Sequence, residues 1–100
     1  MIARIWKGEV PLERSAEYLA RMRSVALPDY KSTAGNVGAY CLHRLHDDRA
    51  EFLMLTFWES SEAIKAFNGD DINVAKYYDF DAEILLEMLP HSDHFDMHDD

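Results

Sequence analysis

Cysteine is almost absent from this 100-residue sequence, which contains only Cys41. A single cysteine excludes an internal disulfide and leaves no pair of thiols for a metal site. Because Cys41 lies in an apolar stretch, we expect a buried and unreactive thiol.

Long apolar runs are also missing, since no stretch approaches the roughly 20 residues that a membrane-spanning helix needs. The first four residues, MIAR, are typical of the start of a strand rather than of a signal peptide. The sequence therefore predicts a soluble cytoplasmic protein that does not enter a membrane.

Positive charge is scarce as well, because Lys and Arg total 10 against 19 Asp and Glu, for a formal net charge of -9. A chain with this charge repels phosphate backbones and anionic lipid surfaces. We therefore expect no nucleic-acid partner.

Apolar residues are plentiful, at 48% of the chain, with 12% aromatic residues. A single domain of this size buries only about two-thirds of the surface of its unfolded chain. In the stretch EFLMLTFW, residues 51–58, successive side chains of a strand point to opposite faces, and both faces are apolar. One small core cannot cover both faces, so a partner surface is expected.

The order of the segments predicts an α+β fold of the ferredoxin-like βαββαβ type, a four-stranded antiparallel sheet with both helices on one face. Pro28 is expected to end the first helix, and Asp47-Asp48 to form a hairpin turn. A cap at Ser60 or Ser61 is expected to begin the second helix. The predicted elements are strands at 1–10, 37–46, from 51 and at 81–90, helices at 11–26 and after the cap, and a short helical piece at 71–77.

Two helices can cover only one face of such a sheet. An apolar second face of this size is an association surface. Two copies packed face to face about a twofold axis would bury each other, so we predict a homodimer that forms an α+β barrel.

The stretches TAGNVGAYCLHRL and EFLMLTFWESSEAIKAFNG, with Trp-Glu-Ser joining a strand to a helix, resemble the antibiotic-biosynthesis-monooxygenase-like proteins of the dimeric α+β barrel superfamily. The resemblance covers about residues 1–90 and leaves 91–100 as an acidic, histidine-bearing tail. It implies the fold and the dimer. It also implies cofactor-free oxygenation of an aromatic or polyketide-like substrate as a candidate activity.

The heme-degrading branch of the same superfamily uses an Asn, a Trp and an iron-ligating His. Alignment places Trp6, Phe67 and Tyr77 at those positions. All three differ, although tyrosinate is a known axial ligand. We therefore expect no heme, and no flavin either, because no glycine-rich nucleotide loop is present.

Cofactor-free oxygenation needs an apolar pocket with a few polar groups that orient a phenol and move a proton. His43, the one strand histidine with apolar neighbours, is a candidate base, and Tyr77 is the second catalytic candidate. Each also has a purely structural interpretation as a packed or partly exposed side chain. The substrate-binding candidates are Arg4, Asn36, Trp58 and Tyr78.

Arg4 on an apolar strand needs a carboxylate partner, and Glu87 is the predicted one; an ion pair between them is an alternative to substrate recognition. Trp58 and Tyr78 are alternatively packing residues. In the tail, the spacing of His91, His94 and His98 would place them on one helical face, so a divalent metal site is an alternative to a solvated terminus.

Three functions remain open: a cofactor-independent monooxygenase or related enzyme, a non-catalytic small-molecule-binding or stress-related dimer, and a heme-degrading enzyme. The space between sheet and helices discriminates the first two. A cavity of several hundred cubic ångströms favours an enzyme or carrier. A space filled by Met22, Phe67, Tyr77 and Leu86 favours the non-catalytic dimer.

Overall fold

The computed structural model describes residues 1–99 and shows an α+β chain. Four strands and four helical segments follow one another, with a 3-10 turn and a π-helical turn in the first helical region. The elements are β1 Ile2–Pro11, a 3-10 turn Leu12–Arg14, α1 Ser15–Arg21, a π-helical turn Met22–Ala26, α2 Leu27–Lys31, β2 Asn36–Leu45, β3 Arg49–Trp58, α3 Ser61–Asn68, α4 Asp81–Ile84 and β4 Asp93–Asp96.

The four strands form one sheet in the order β2-β3-β1-β4, and all neighbours are antiparallel. The predicted four-stranded antiparallel sheet is confirmed, and this order is consistent with a ferredoxin-like arrangement. The predicted hairpin is also present, since the His46 N–H donates to the Arg49 carbonyl at 2.8 Å across the turn.

The first helical region runs on to Lys31, so the prediction that Pro28 ends it is wrong. The π-helical turn precedes the proline, and within it the Leu27 N–H reaches back five residues to the Met22 carbonyl. Proline lacks an N–H and its ring clashes with the carbonyl four residues earlier in a regular α-helix. The wider π turn displaces the chain just before Pro28, so the helix continues with a local irregularity.

The helix α3 begins at the predicted cap. The Ser60 hydroxyl accepts the Ala63 N–H at 3.2 Å, which satisfies one of the unpaired donors of the first turn. Gly69 follows the last turn with φ of 101°, a backbone conformation that side chains with a Cβ rarely adopt.

The last strand lies at Asp93–Asp96, so the prediction of a strand at 81–90 is wrong. Residues 81–84 form α4, and after it a single backbone bond joins the Leu86 N–H to the Glu9 carbonyl at 2.8 Å. The free edge of β1 at Ile2–Ile5 is taken by β4 instead. Strand propensity in 81–90 does not say which segment reaches that edge, because pairing is a tertiary contact.

The predicted helical piece at 71–77 is also wrong, because these residues form turns and an isolated bridge between Val74 and His91. No helix among residues 1–99 is long and apolar enough to cross a membrane.

The two faces of the sheet differ, as the alternation along β3 shows. Phe52, Met54 and Trp58 are buried beneath the helices, whereas Leu53 and Leu55 on the other face are partly exposed. The fold therefore has one helix-covered face, and a second face with no layer over it in this chain.

Candidate functional site

The structure does not bring the predicted site residues together. His43 and Asn36 lie on the edge strand β2. The His43 ring is exposed and stacks on Phe52 at 5.4 Å between ring centroids. The Asn36 amide donates to the carbonyls of Gly38 and Phe57 at 3.2 and 3.3 Å, where the register of β2 and β3 shifts. Asn36 thus stabilises an irregular strand end.

Trp58 is fully buried in the core. Its indole N–H donates to the Thr56 hydroxyl at 2.9 Å, and its ring packs near Tyr30 and Phe67. A buried indole needs such a partner for its N–H. With that partner provided by the chain, Trp58 is a core residue in this structure.

The neighbouring tyrosines make separate contacts. Tyr77 packs edge-on against Trp6, and its hydroxyl donates to the Leu89 carbonyl. The Tyr78 hydroxyl donates to the Asp29 carboxylate at 2.6 Å. Burial is the largest cause that raises the pKa of both phenols, so both hydroxyls stay protonated at neutral pH.

A small chamber lies between the sheet and the helices. Its volume is about 10 Å³, which is room for roughly one water molecule. The residues that line it are Trp6, Tyr18, Met22, Ala26, Tyr30, Met54, Lys76, Tyr78 and Asp81. Of the predicted site residues, only Tyr78 lies on this chamber.

Asp81 is the most unusual residue of this chamber and was missed by the sequence analysis. The residue is 1% exposed. It accepts the Tyr18 hydroxyl at 2.6 Å and the Tyr78 N–H at 2.6 Å. Burial raises the pKa of this carboxyl, and the two hydrogen bonds oppose that rise. The only sequence signal was an acid between Phe80 and Ala82 at the start of a short helix.

Lys76 lines the chamber and connects to α2 through an ion pair. Its ammonium group pairs with the Asp29 carboxylate at 3.1 Å and lies 3.9 Å from the centre of the Phe67 ring. Together with the bond from Tyr78 to Asp29, this contact holds residues 76–78 over the core. The segment closes the chamber without forming a helix.

Arg4 lies elsewhere on the same face and is 0% exposed. Its Nη2 donates to the Asn68 side-chain oxygen at 2.9 Å and to the Val74 carbonyl at 3.5 Å. The predicted pair with Glu87 is wrong, because Glu87 is exposed and lines a surface depression with Lys7 and Glu9. Among residues 1–99 no carboxylate forms an ion pair with Arg4, and burial lowers the pKa of its guanidinium.

An open groove of about 410 Å³ lies on the surface beside β2. It contains His43 and Cys41, and Leu19, Arg23, Leu27, Lys31, Ala39 and Tyr40 complete its lining. Burial raises the pKa of the Cys41 thiol, which is half-buried rather than fully buried as predicted. The groove is too open to exclude water from a reaction.

The tail histidines do not form a metal site. Residues 93–96 are a strand, so the helical face predicted for His91, His94 and His98 does not exist. Within the described part of the chain no three His, Cys, Asp or Glu side chains converge on a point suited to a metal ion. Asp100, an acid of the same tail, lies outside the described residues.

No protein-family model matches this sequence, and no curated protein shows a significant match to it. The resemblance to the monooxygenase-like family therefore stays a prediction.

Proposed function

We propose that this protein functions as a non-catalytic homodimer that packs through its uncovered sheet face. The observation that carries the non-catalytic part is the chamber volume of about 10 Å³, since the groove of about 410 Å³ beside β2 is too open to exclude water from a reaction. Ligand pockets for small organic molecules measure about 300 to 1,000 Å³. A space this small admits no aromatic substrate, and Met22 and Phe67 are among the side chains that fill the interior around it.

The uncovered face supports the dimer. Its central strands present Ile5, Leu53, Leu55 and Phe57, which are partly exposed. On the outer strands Tyr40 and Phe95 are 58% and 56% exposed. An apolar surface of this kind on a soluble chain marks an association site.

Most charged residues on this face lie at one end of the sheet, and the exception is Asp93, opposite Ile5 on the outer strand β4. Arg44 pairs with Glu51 at 2.7 Å, and Lys7 and Glu9 lie on the neighbouring part of β1. A twofold interface places the same patch of two copies together. The apolar middle would then be buried and the paired charges would form the rim, where exposed ion pairs contribute little.

The dimer is tested by the mass of the protein in solution. Light scattering at micromolar concentration is expected to give twice the 11.6 kDa chain mass. The chain mass alone, at every concentration up to the micromolar range, would contradict the proposal.

A second candidate is the cofactor-independent monooxygenase, and Asp81 favours it. A buried carboxyl with a raised pKa beside an aromatic chamber is a suitable general base for a phenol. In such a reaction the deprotonated substrate supplies all four electrons that O₂ takes up. One oxygen atom becomes the new carbonyl of the quinone, and the other leaves as water with the hydrogen of the oxidised ring carbon and the hydrogen of the phenol hydroxyl. The segment at 69–80 would have to open first.

Oxygen uptake with an anthrone probe separates the two candidates. The non-catalytic proposal expects the same rate with the wild type, with Asp81→Asn and without protein. Uptake that requires the wild type and falls about 10²- to 10⁴-fold in Asp81→Asn would establish the enzyme. His43→Ala and Tyr77→Phe are the matched variants for the bases predicted from the sequence.

A further inference from the structure

Buried polar groups without partners gather at Arg4, on the helix-covered face of the sheet. Nε and Nη1 of Arg4 are buried and make no hydrogen bond to any residue among 1–99. The same holds for both ring nitrogens of His94 and for the Ser92 hydroxyl. Buried donors and acceptors normally have partners, so such a group of exceptions needs an explanation.

The strand register brings these residues together. Arg4 and His94 are directly opposite each other on β1 and β4. Side chains at such positions point to the same face, with Cβ atoms about 4.5 to 5.5 Å apart. Ser92 precedes His94 by two residues and is buried, so it lies on the same side of the chain.

No carboxylate among residues 1–99 balances the charge of this group. Arg4 keeps its charge at any ordinary pH, and a buried charge without a counterion is strongly unfavourable. The Asn68 amide oxygen at 2.9 Å, the Val74 carbonyl at 3.5 Å and the centre of the Phe67 ring, 5.8 Å from the guanidinium carbon, compensate it only in part. The Tyr30 hydroxyl lies close enough to the guanidinium to raise the pKa of Arg4, which opposes the lowering by burial.

We propose that Arg4, His94 and Ser92 form an internal binding site for a carboxylate group. Three N–H groups of Arg4 have no partner, and His94 and Ser92 each offer one further donor. A carboxylate supplies the missing negative charge and accepts these donors. The planar carboxylate suits so enclosed a position better than the larger tetrahedral phosphate.

A thin cover lies over the site and provides a route of entry. The Val74 and His91 bridge and the bond from the Ser92 N–H to the Asn73 carbonyl at 2.9 Å hold the segment around Val74 in place. Asn68 links this cover to the site, because its side chain contacts both Arg4 and the Val74 carbonyl. Few bonds need to break for the cover to open.

This site is independent of the proposed dimer and of the chamber at Asp81. The proposed ligand is either a small carboxylate or a larger compound that carries a carboxylate at one end.

Thermal unfolding in the presence of formate, acetate, benzoate or phosphate tests the site, with chloride at matched ionic strength as the reference. A ligand that binds the folded state raises the unfolding midpoint in a saturable way. We expect this rise with the carboxylates and not with phosphate. A larger rise with benzoate than with formate indicates the end of a larger compound, and the reverse a free small acid. No saturable rise with any carboxylate would overturn the proposal, and ordered water would then occupy the site.

Two variants test whether the rise of the unfolding midpoint comes from carboxylate binding at Arg4. Arg4→Met removes the charge and is expected to weaken carboxylate affinity by on the order of tenfold or more. Lys65→Met removes an exposed cation on α3 and is the matched control, so its response should equal that of the wild type. An undiminished response in Arg4→Met would overturn the assignment.

A measurement on the wild type keeps the test decisive if Arg4→Met does not fold. The NMR signal of the Arg4 Nε–H group is expected to move on carboxylate titration and to saturate at the same concentration as the thermal shift. Ser92→Ala, a milder change, is expected to weaken affinity about threefold to tenfold. An Arg4 signal that does not respond to the carboxylates would contradict the proposal.

Discussion

The two faces of the sheet differ from those of a typical monomeric protein in opposite ways. The face beneath the helices buries polar and charged groups, Arg4, Asp81 and Ser92 among them. The uncovered face exposes large apolar groups such as Tyr40 and Phe95. Each departure is unfavourable for an isolated chain, since buried charges lack water and exposed apolar groups meet it. These departures agree with the two proposals, in which an apolar surface of a second copy covers one face and a carboxylate balances the charge of Arg4 on the other.

A charge on the uncovered face should have the largest effect. Alternation along β3 does not say by itself whether Met54 or Leu55 faces a partner, and the structure places Leu55 on the uncovered face. Leu55→Lys would bury an unpaired charge in the dimer at a cost of about 3 to 5 kcal/mol. We expect a monomer or an unfolded chain in sedimentation and circular dichroism.

Ala66→Lys is the matched control for that charge. Ala66 is exposed on α3, on the other side of the sheet, so this variant should stay dimeric. If Leu55→Lys remains a dimer as tight as Ala66→Lys, the uncovered face is not the interface.

Under the helices, a smaller effect is expected from Asp81→Asn, and it should depend on pH. Burial raises the pKa of Asp81 above its ordinary value of 3.8. A group whose pKa is raised in the folded state favours folding at pH values below its unfolded pKa. That contribution is lost as the pH rises through the folded pKa.

The free energy of unfolding of the wild type should therefore fall relative to that of Asp81→Asn as the pH rises from about 4 through the raised pKa. Urea melts at several pH values measure this difference. Tyr18→Phe serves as the companion variant, because it removes a hydrogen bond to Asp81 and should strengthen the trend. A difference between wild type and Asp81→Asn that is constant with pH would show that Asp81 titrates normally.

The smallest expected effect concerns heme. Tyr77 is half-buried and its hydroxyl donates to the Leu89 carbonyl, so iron ligation would require that bond to break. We expect the isolated protein to show no Soret band and no saturable heme binding by absorbance. Binding that is present in the wild type and lost in Tyr77→Phe would contradict this and would favour the heme-degrading alternative.

Prediction from the sequence worked best in residues 1–68. Alternating apolar residues, the turn at Asp47-Asp48 and the cap at Ser60 are local signals, and each produced the expected local structure. The exception is Pro28, because a π turn two to six residues earlier accommodates it. A π-helical turn of this kind is not predicted by local sequence patterns.

Beyond residue 68 the predictions were mostly wrong. The run of apolar residues at 84–89 has strand composition, yet Leu86, Met88 and Leu89 are exposed. Asp81 is held inside by Tyr18, which is 63 positions away in the chain. A contact over that separation leaves no periodic signal in the sequence.

At the candidate site, too, residue types were predicted from the sequence but their long-range contacts were not. The sequence identified Arg4 and Tyr78 by residue type and apolar surroundings, but it proposed Glu87 as the partner of Arg4. In the structure Arg4 is the cross-strand neighbour of His94, a residue of the predicted tail. Pairing between β1 and β4 is a long-range choice, and it decides which polar groups meet.

The sequence by itself determined the class of fold, because the periodicity of apolar residues and the turn and cap residues act within a few positions of themselves. It also determined that both faces of β3 are apolar, which follows from alternation alone. Only the tertiary structure decided which segment completes the sheet and that Asp81 and Arg4 are buried. It also decided that the chamber beneath the helices measures only about 10 Å³. These outcomes depend on which distant segments pack together, and burial is a property of that packing rather than of any residue alone.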